Sequence, residues 1–262
     1  MNFSKKKHRV RHIKRFAVIS RIMVKHGLGE ILDRVFDRDS GGAKVGDEKS
    51  VFAGTVYPSP RRIRLVFEEL GPTFVKLGQL MSMRADMFPA EYLEEFKKLQ
   101  DRVPPVPFPE IQVVIERELK HPISELFVSI EEESLAAASV AQVHAAELAE
   151  GELVVVKVIR PGIDKKIRED IRLMYYFAEK LEKAFEIGQV IGFVNLVKEF
   201  EKSIFRELDM HIEAGNIERF SRNFKDSREL YIPKVYWDYT SKSILVMELI
   251  EGIRIDRIDE IR

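Results

Sequence analysis

The sequence predicts an α+β protein: a helical first half followed by an antiparallel sheet packed with helices. Two observations carry this. Apolar residues recur at three- and four-residue spacing through most of residues 1–126. Beyond residue 126 the chain turns to β-branched runs bounded by glycine and proline, with long helical patterns between them. Length adds a bound, since 262 residues can bury a sizeable core in one large or two small domains. No internal repeat is visible.

The first 36 residues form a basic amphipathic helix in this reading. Lys5, Lys6, Lys7, Arg9, Arg11, Lys14, Arg15, Arg21 and Lys25 all precede the first acid, Glu30. Phe3, Val10, Ile13, Phe16, Ala17, Ile19, Ile22 and Met23 lie among them, several at helical spacing. Three readings fit. The helix lies on an anionic membrane surface, each basic residue contributing about 1 kcal/mol. Or it is a basic arm for nucleic acid. Or it docks on its own domain with a solvated basic face. No stacking platform or recognition motif follows, so nucleic acid is the weakest, and none is expected as a partner.

Residues 37–57 are polar and glycine-rich and read as a flexible loop. A helical segment spans 58–126. Ser59 and Pro60 suit the N-cap and first position of a helix to Leu70, which stops at Gly71-Pro72. The stretch from Phe74 to Pro89 reads as a helix with an apolar stripe of Phe74, Leu77, Leu80 and Met81. Lys76, Gly78 and Gln79 interrupt it. Gly78 costs about 1 kcal/mol against alanine in a helix, which implies close packing on its backbone or a kink. Helices from Pro89 to Leu99 and Pro109 to Leu119 flank a stiff linker, Pro104-Pro105-Val106-Pro107.

The sheet region, 127–252, has strands at 127–130, 139–148 and 153–159, the last two joined at Glu150-Gly151. Helical patterns at 164–185 and 193–220 and strands at 231–236 and 243–248 complete it. Residues 253–262 read as the start of a truncated C-terminal lobe.

The composition sets limits on chemistry. The chain has 43 basic and 43 acidic residues, so no global field favours nucleic acid or membrane. With no cysteine, disulfides, thiolate zinc sites and cysteine nucleophiles are excluded, and a reducing compartment fits. Its 6 histidines form no metal-ligand pair, so no metal site is expected within the chain. No apolar run approaches the ~20 residues that cross a bilayer. The basic start lacks the apolar core of a secretory signal. A cytoplasmic protein, peripheral to a membrane, is the expectation.

Chemistry-bearing residues gather in the sheet region. Leu135, Ala136, Ala137, Ala138, Ser139, Val140, Ala141, Gln142 and Val143 link strands, and small side chains there let backbone amides approach a phosphate. Alanine makes such a loop stiffer than glycine would. Val154-Val155-Val156-Lys157-Val158-Ile159 places one lysine in a β-branched run. A buried unpaired ammonium costs several kcal/mol, so Lys157 needs an anionic partner. Small-residue loop, hairpin, then V-V-V-K resembles the phosphate loop and V-A-I-K strand of protein kinases. There the lysine holds nucleotide phosphates and pairs with a glutamate on a following helix. Asp209 and Glu213 are four apart on one helix face, and Glu207 points elsewhere. Leu245 to Gly252 looks like a kinase hinge, with Met247 as gatekeeper and backbone groups of Glu248 and Ile250 toward an adenine.

Together these residues resemble the UbiB family of atypical protein-kinase-like proteins, which supports ubiquinone and other isoprenoid-lipid metabolism. Lys76-Leu77-Gly78-Gln79 is similar to its KxGQ signature. Ala136-Ala137-Ala138-Ser139 is similar to its alanine-rich replacement for the glycine loop, continued by Ala141-Gln142-Val143-His144. Glu207-Leu208-Asp209 is similar to its ExD motif. The resemblance implies a helical KxGQ extension packed on a kinase-like small lobe. It implies ATP with Mg²⁺ as ligands, and Lys157 with Glu213 as the catalytic ion pair. Lys76, Gly78, Gln79, Glu207 and Asp209 would be regulatory, the KxGQ helix closing the cleft as an autoinhibitory lid. Partners would be an anionic membrane surface or isoprenoid lipid, and lipid-biosynthesis enzymes. The sequence departs from the family after the hinge. No H-x-D-x-x-x-x-N or D-F-G occurs up to Arg262, so an absent large lobe is the expectation. Phosphoryl transfer needs those carboxylates to place Mg²⁺. The expectation is an inactive fragment, with a non-catalytic scaffold for membrane and partners as the alternative.

Overall fold

Helix-forming patterns and β-branched runs separate cleanly in the computed structural model, which describes residues 2–37, 58–100, 103–185 and 191–253, with side chains from residue 13 onward. The loop expected at 37–57 and the segment 254–262 lie outside the described residues, apart from Asp37. In chain order the helices are α1 (Asn2–Lys25), α2 (Gly29–Asp37), α3 (Pro60–Leu70), α4 (Pro72–Met81), α5 (Ala90–Lys97), α6 (Phe108–Leu119) and α7 (Ile123–Leu126). Strands β1 (Ser129–Ile130), β2 (Ala136–Ala137), β3 (Ala141–Glu147) and β4 (Leu153–Ile159) follow. Then come α8 (Ile163–Ala184), α9 (Phe193–Glu207), α10 (Met210–Asn223) and β5 (Ile244–Glu248). The α+β class and the antiparallel sheet are those expected from the sequence.

The chain divides into two compact units. The first comprises Met1–Arg102 and Asp164–Ile204, and the second Val103–Ile163 and Phe205–Arg262. Residues 164–204 therefore pack with the N-terminal helices, and 103–126 with the sheet.

The first unit is helical. Its N-terminal basic stretch is two helices, not one, because the chain turns at Gly27, whose φ of 75° suits glycine. The inner face of α1 buries Ile19 and Ile22. Arg15, one of the basic run, is not solvated. Its Nε donates to Asp170 at 2.7 Å, and its Nη2 donates to the Leu70 carbonyl at 2.8 Å. Asp170 is fully buried. One guanidinium thus ties α1, the end of α3 and α8 together. The outward face differs: Ile13, Val18 and Val24 are exposed beside Lys14, Arg21 and Lys25.

Helix α4 stops at Met81, short of the expected Pro89. Its backbone bonds change to the three-residue kind at Met83 and Arg84, whose amides donate to Leu80 and Met81. Arg84 then grips Asp86 within the turn at 2.8 Å. Ser59 takes the N-cap position of α3, but its side chain makes no capping bond. Gly78 serves close packing inside this unit. A Cβ there would fall 2.2 Å from Leu99 Cδ1 and 2.8 Å from the Phe67 ring.

The second unit is a sheet of order β1-β3-β4-β5, with β2 also paired to β3. On one face, α6 residues Ile111, Val114 and Ile115 pack against Val154, Val156, Val158, Ile244 and Val246. The expected strand at 231–236 reduces to a bridge between Val235 and Met247. The Tyr236 and Glu248 amides donate to the Val246 and Lys234 carbonyls, but the Lys234 amide donates to the Glu248 carboxylate instead of continuing the ladder. The expected helix 193–220 breaks at Leu208-Asp209. Asp209 becomes the N-cap of α10, accepting from the His211 amide at 3.1 Å. The strand expected from Ser139 begins at Ala141, because Ser139 and Val140 form the turn after β2.

Arg15→Ala should lower the unfolding free energy by about 3–5 kcal/mol, since it strands a buried carboxylate. Equilibrium urea unfolding measures this, and a loss below about 1 kcal/mol would show that Asp170 is not held mainly by Arg15.

Candidate functional site

Strand register decides which side chains share a face, because paired residues of an antiparallel sheet point the same way. Val143 pairs with Lys157, Ala136 with Val143, Lys157 with Leu245 and Val155 with Met247. Ala136, Val143, Val155, Lys157, Leu245 and Met247 therefore line one face, opposite the α6 core. That face is partly open, with Ala136 exposed and Val143, Lys157 and Met247 half-buried.

Helix α10 covers part of it. Its first amide, Met210, donates to the Lys242 carbonyl at 3.0 Å just before β5. Ala214 is buried on its inner face. Glu213 then reaches Lys157, whose Nζ donates to both carboxylate oxygens at 2.7 and 2.8 Å. The ammonium in a β-branched strand has its anionic partner. The pair stays accessible, with side-chain exposures of 26% and 39%. It can therefore exchange partners with an arriving anion at little desolvation cost. Asp209, though four residues from Glu213, turns back to cap the helix. The two carboxylates do not act side by side.

The alanine-rich segment is a hairpin. Ala136 and Ala137 pair with Val143 and Gln142, and the Ala138 amide donates to the Ala141 carbonyl at 2.8 Å. Leu135, Ala136 and Ala138 are exposed, whereas Ser139 and Val140 are buried. The Ser139 hydroxyl is buried with no hydrogen-bond partner among the described residues. Such a group costs about 1–3 kcal/mol.

Gln142 points the other way. It pairs with Val158 of the α6 core face, and its amide is occupied there. Gln142 Oε1 accepts from the Val106 amide at 2.8 Å, and Nε2 donates to the Val106 carbonyl at 3.1 Å. Gln142 Nε2 also lies 3.0 Å from His144 Nε2. His144 Nδ1 lies 2.7 Å from the Glu131 carbonyl, which can only accept. The proton therefore sits on Nδ1, and Nε2 accepts from Gln142. Burial pushes the His144 pKa below its ordinary value. Nothing in the sequence signals these two roles beyond a glutamine and a histidine at inward positions of a strand.

At the proposed hinge, Met247 lies on the Lys157 face. The Glu248 side chain lies on the other, accepting from Tyr231 Oη at 2.5 Å and the Lys234 amide at 3.1 Å. These donors hold its carboxyl below the usual range. The Glu248 amide donates to the Lys234 carbonyl at 2.9 Å. Ile250 is exposed. In the first unit, Gln79 Nε2 donates to the Leu99 carbonyl at 3.1 Å. Gly78 packs on Leu99 and Phe67 of the same unit. Both residues are thus explained locally. No cluster of three or more metal-ligating side chains occurs among the described residues.

The ABC1 atypical kinase-like domain matches residues 98–262. A probable protein kinase UbiB of Marinobacter nauticus is 49% identical over 205 residues, covering 76% of this chain and 38% of the relative. The corresponding protein of Azotobacter vinelandii is 44% identical over 196 residues, covering 75% and 36%. Among solved structures, the complex of Rv3197 with erythromycin from Mycobacterium tuberculosis aligns with a TM-score of 0.53 and 28% identity. That alignment covers 82% of this chain and 54% of that one. The chain spans little more than a third of the length of the curated relatives it matches.

His144 yields a pH dependence. Its folded pKa lies below the unfolded value of about 6.5. Between the two the unfolded chain binds more protons, so stability is complete above pH 6.5 and falls as pH drops through that window. Urea midpoints at pH 7.5 and 5.5 should differ more for the native chain than for His144→Gln. Equal differences would mean the histidine does not contribute.

Proposed function

Because the chain belongs to the UbiB family of ABC1 atypical kinase-like proteins, we propose that its second unit is the nucleotide-binding small lobe of an ATP-dependent kinase or ATPase. The Lys157–Glu213 ion pair carries this reading. It stands on the same sheet face as Ala136 and Met247, at the positions that hold phosphate, loop and adenine in a kinase small lobe. Lys157 holds the phosphates of ATP, and Glu213 fixes the direction of its ammonium. Ala136–Val140 cover the phosphates with backbone amides, and Met247 with the Glu248–Ile250 backbone borders the adenine. The unpartnered Ser139 hydroxyl fits this reading, being a buried polar atom that a bound phosphate can satisfy. Mg²⁺, when bound, neutralises the phosphate charge. An autoinhibitory role for the segment Lys76, Gly78 and Gln79, and a regulatory one for Glu207 and Asp209, belong to the same proposal and are supported by the KLGQ and ExD motifs. So is a role in ubiquinone or related isoprenoid-lipid synthesis, alongside enzymes of that synthesis, supported by the relatives' family.

Titration of the 262-residue chain with Mg-ATP tests the site. Lys157→Ala should weaken binding at least about tenfold, the value of a charge-assisted hydrogen bond to phosphate. Equal affinity in the two proteins, or none in the native chain, would overturn the reading.

A second role rests on its own observation. No helix among the described residues is long and apolar enough to cross a membrane. The outward face of α1 nevertheless presents Ile13, Val18 and Val24 between Lys14, Arg21 and Lys25. Apolar residues between basic ones suit the interface of an anionic bilayer. The chain should float with vesicles containing anionic lipid, and Lys14→Glu with Arg21→Glu should reduce the floated fraction several-fold. Flotation unchanged by both substitutions would remove this face from the role.

A further inference from the structure

The turn that follows β2 contains no glycine, yet its conformation is tightly set. Arg160, the first residue after β4, sets it from two sides. Its backbone amide donates to the Val140 carbonyl at 2.9 Å, and its Nη1 donates to the Ala138 carbonyl at 3.2 Å. The third arm leaves the turn: Nη2 donates to the Pro104 carbonyl at 2.8 Å. Pro104 opens the strap Pro104-Pro105-Val106-Pro107, in which Val106 alone has an amide N–H. Gln142, just past the turn, binds both the N–H and the C=O of Val106. The strap is stiff by composition and anchored at two points, one on each side of the turn.

We propose that Arg160 is a positioning residue that locks the alanine-rich turn to the proline strap and thereby sets nucleotide affinity. This rests on the nucleotide reading above. The peptide between Ala138 and Ser139 is trans, as no cis peptide occurs among the described residues. Its N–H and C=O point in opposite directions. Holding the Ala138 carbonyl on Arg160 turns the Ser139 N–H away from Arg160. Among the described residues that N–H donates to no backbone carbonyl. It is a donor kept ready for an anion. A guanidinium suits the task because its planar fork spans two carbonyls at once, which a lysine ammonium on a flexible stem does not hold in fixed geometry. Burial lowers the Arg160 pKa from its ordinary value, but a guanidinium remains charged.

Two measurements on the 262-residue chain separate this proposal from the nucleotide reading. The first needs no nucleotide: amide hydrogen exchange at residues 138–142 and 106. Arg160→Ala should accelerate exchange there about tenfold or more while leaving the β4–β5 amides unchanged, and Arg160→Lys should fall between. Unchanged exchange in the turn overturns the latch. So does equal acceleration throughout the sheet, which marks general destabilisation. The second is Mg-ATP titration. Affinity should fall about fivefold or more in Arg160→Ala and recover partly in Arg160→Lys. Faster exchange with undiminished affinity overturns the claim that the latch sets binding. A native chain that binds no Mg-ATP defeats the nucleotide reading and with it the affinity claim, whereas the exchange result still decides whether Arg160 holds the turn.

Discussion

A single ammonium in a β-branched strand constrains the sheet unit. Lys157 sits between Val156 and Val158, both fully buried in the α6 core. The pleat therefore sends Lys157 to the other face. There its ammonium, only partly buried, pairs with an anion. Glu213 supplies it from α10. The Met210 amide on the Lys242 carbonyl and the buried Ala214 hold the helix at a distance that places Glu213 on the lysine. Lys157 thus ties its strand to the helix. It also keeps one sheet face partly open, which an all-valine strand would have closed.

In the helical unit the corresponding constraint is Arg15. In the sequence it is one of nine basic residues before the first acid, with nothing to distinguish it. Its partner Asp170 lies 155 residues away, beyond the reach of any periodicity argument. The structure divides the basic run by face. Arg15 becomes an internal clamp beside the buried Ile19 and Ile22, while Lys14, Arg21 and Lys25 remain outside. Domain docking and a surface role are therefore compatible in one helix, since they use opposite faces.

Local signals made most elements legible. The β-branched run 153–159 gave β4 at its observed bounds, and the spacing of Asp209 and Glu213 rightly put Glu213 on a helix. The failures have physical causes. A helical pattern from 193 to 220 is continuous in hydrophobicity, but Asp209 prefers capping a new helix to continuing an old one. Residues 231–236 have strand composition, but the Lys234 amide donates to the Glu248 carboxylate and not to a backbone carbonyl. Of the two readings that Gly78 allows, close packing and a kink, the structure has close packing. Which surface approaches was not legible, because Leu99 and Phe67 reach it only through the tertiary fold. Gln142 belongs to a motif whose residues suggest one site, yet the two-residue period puts it on the face opposite Lys157. Motif membership gives proximity in sequence, whereas strand parity decides which face a side chain serves.

The same parity explains why the turn between β2 and β3 can be built from alanine. A glycine loop is free to wrap a ligand, and it loses that freedom on binding. An alanine turn has little freedom to lose, but it must already hold its amides in the right direction. Arg160 and Gln142 provide that order from outside the turn, through carbonyls and a strap with one N–H in four residues. What the arrangement leaves unsatisfied is as informative as what it satisfies. Among the described residues the Ser139 hydroxyl is buried without a partner, and the Ser139 amide donates to no backbone carbonyl. A turn selected only for packing would remove that cost, of about 1–3 kcal/mol for the hydroxyl, by replacing serine with a fourth alanine. Retaining two donors on one residue, in a turn braced so firmly, is the arrangement expected of a preorganised anion site.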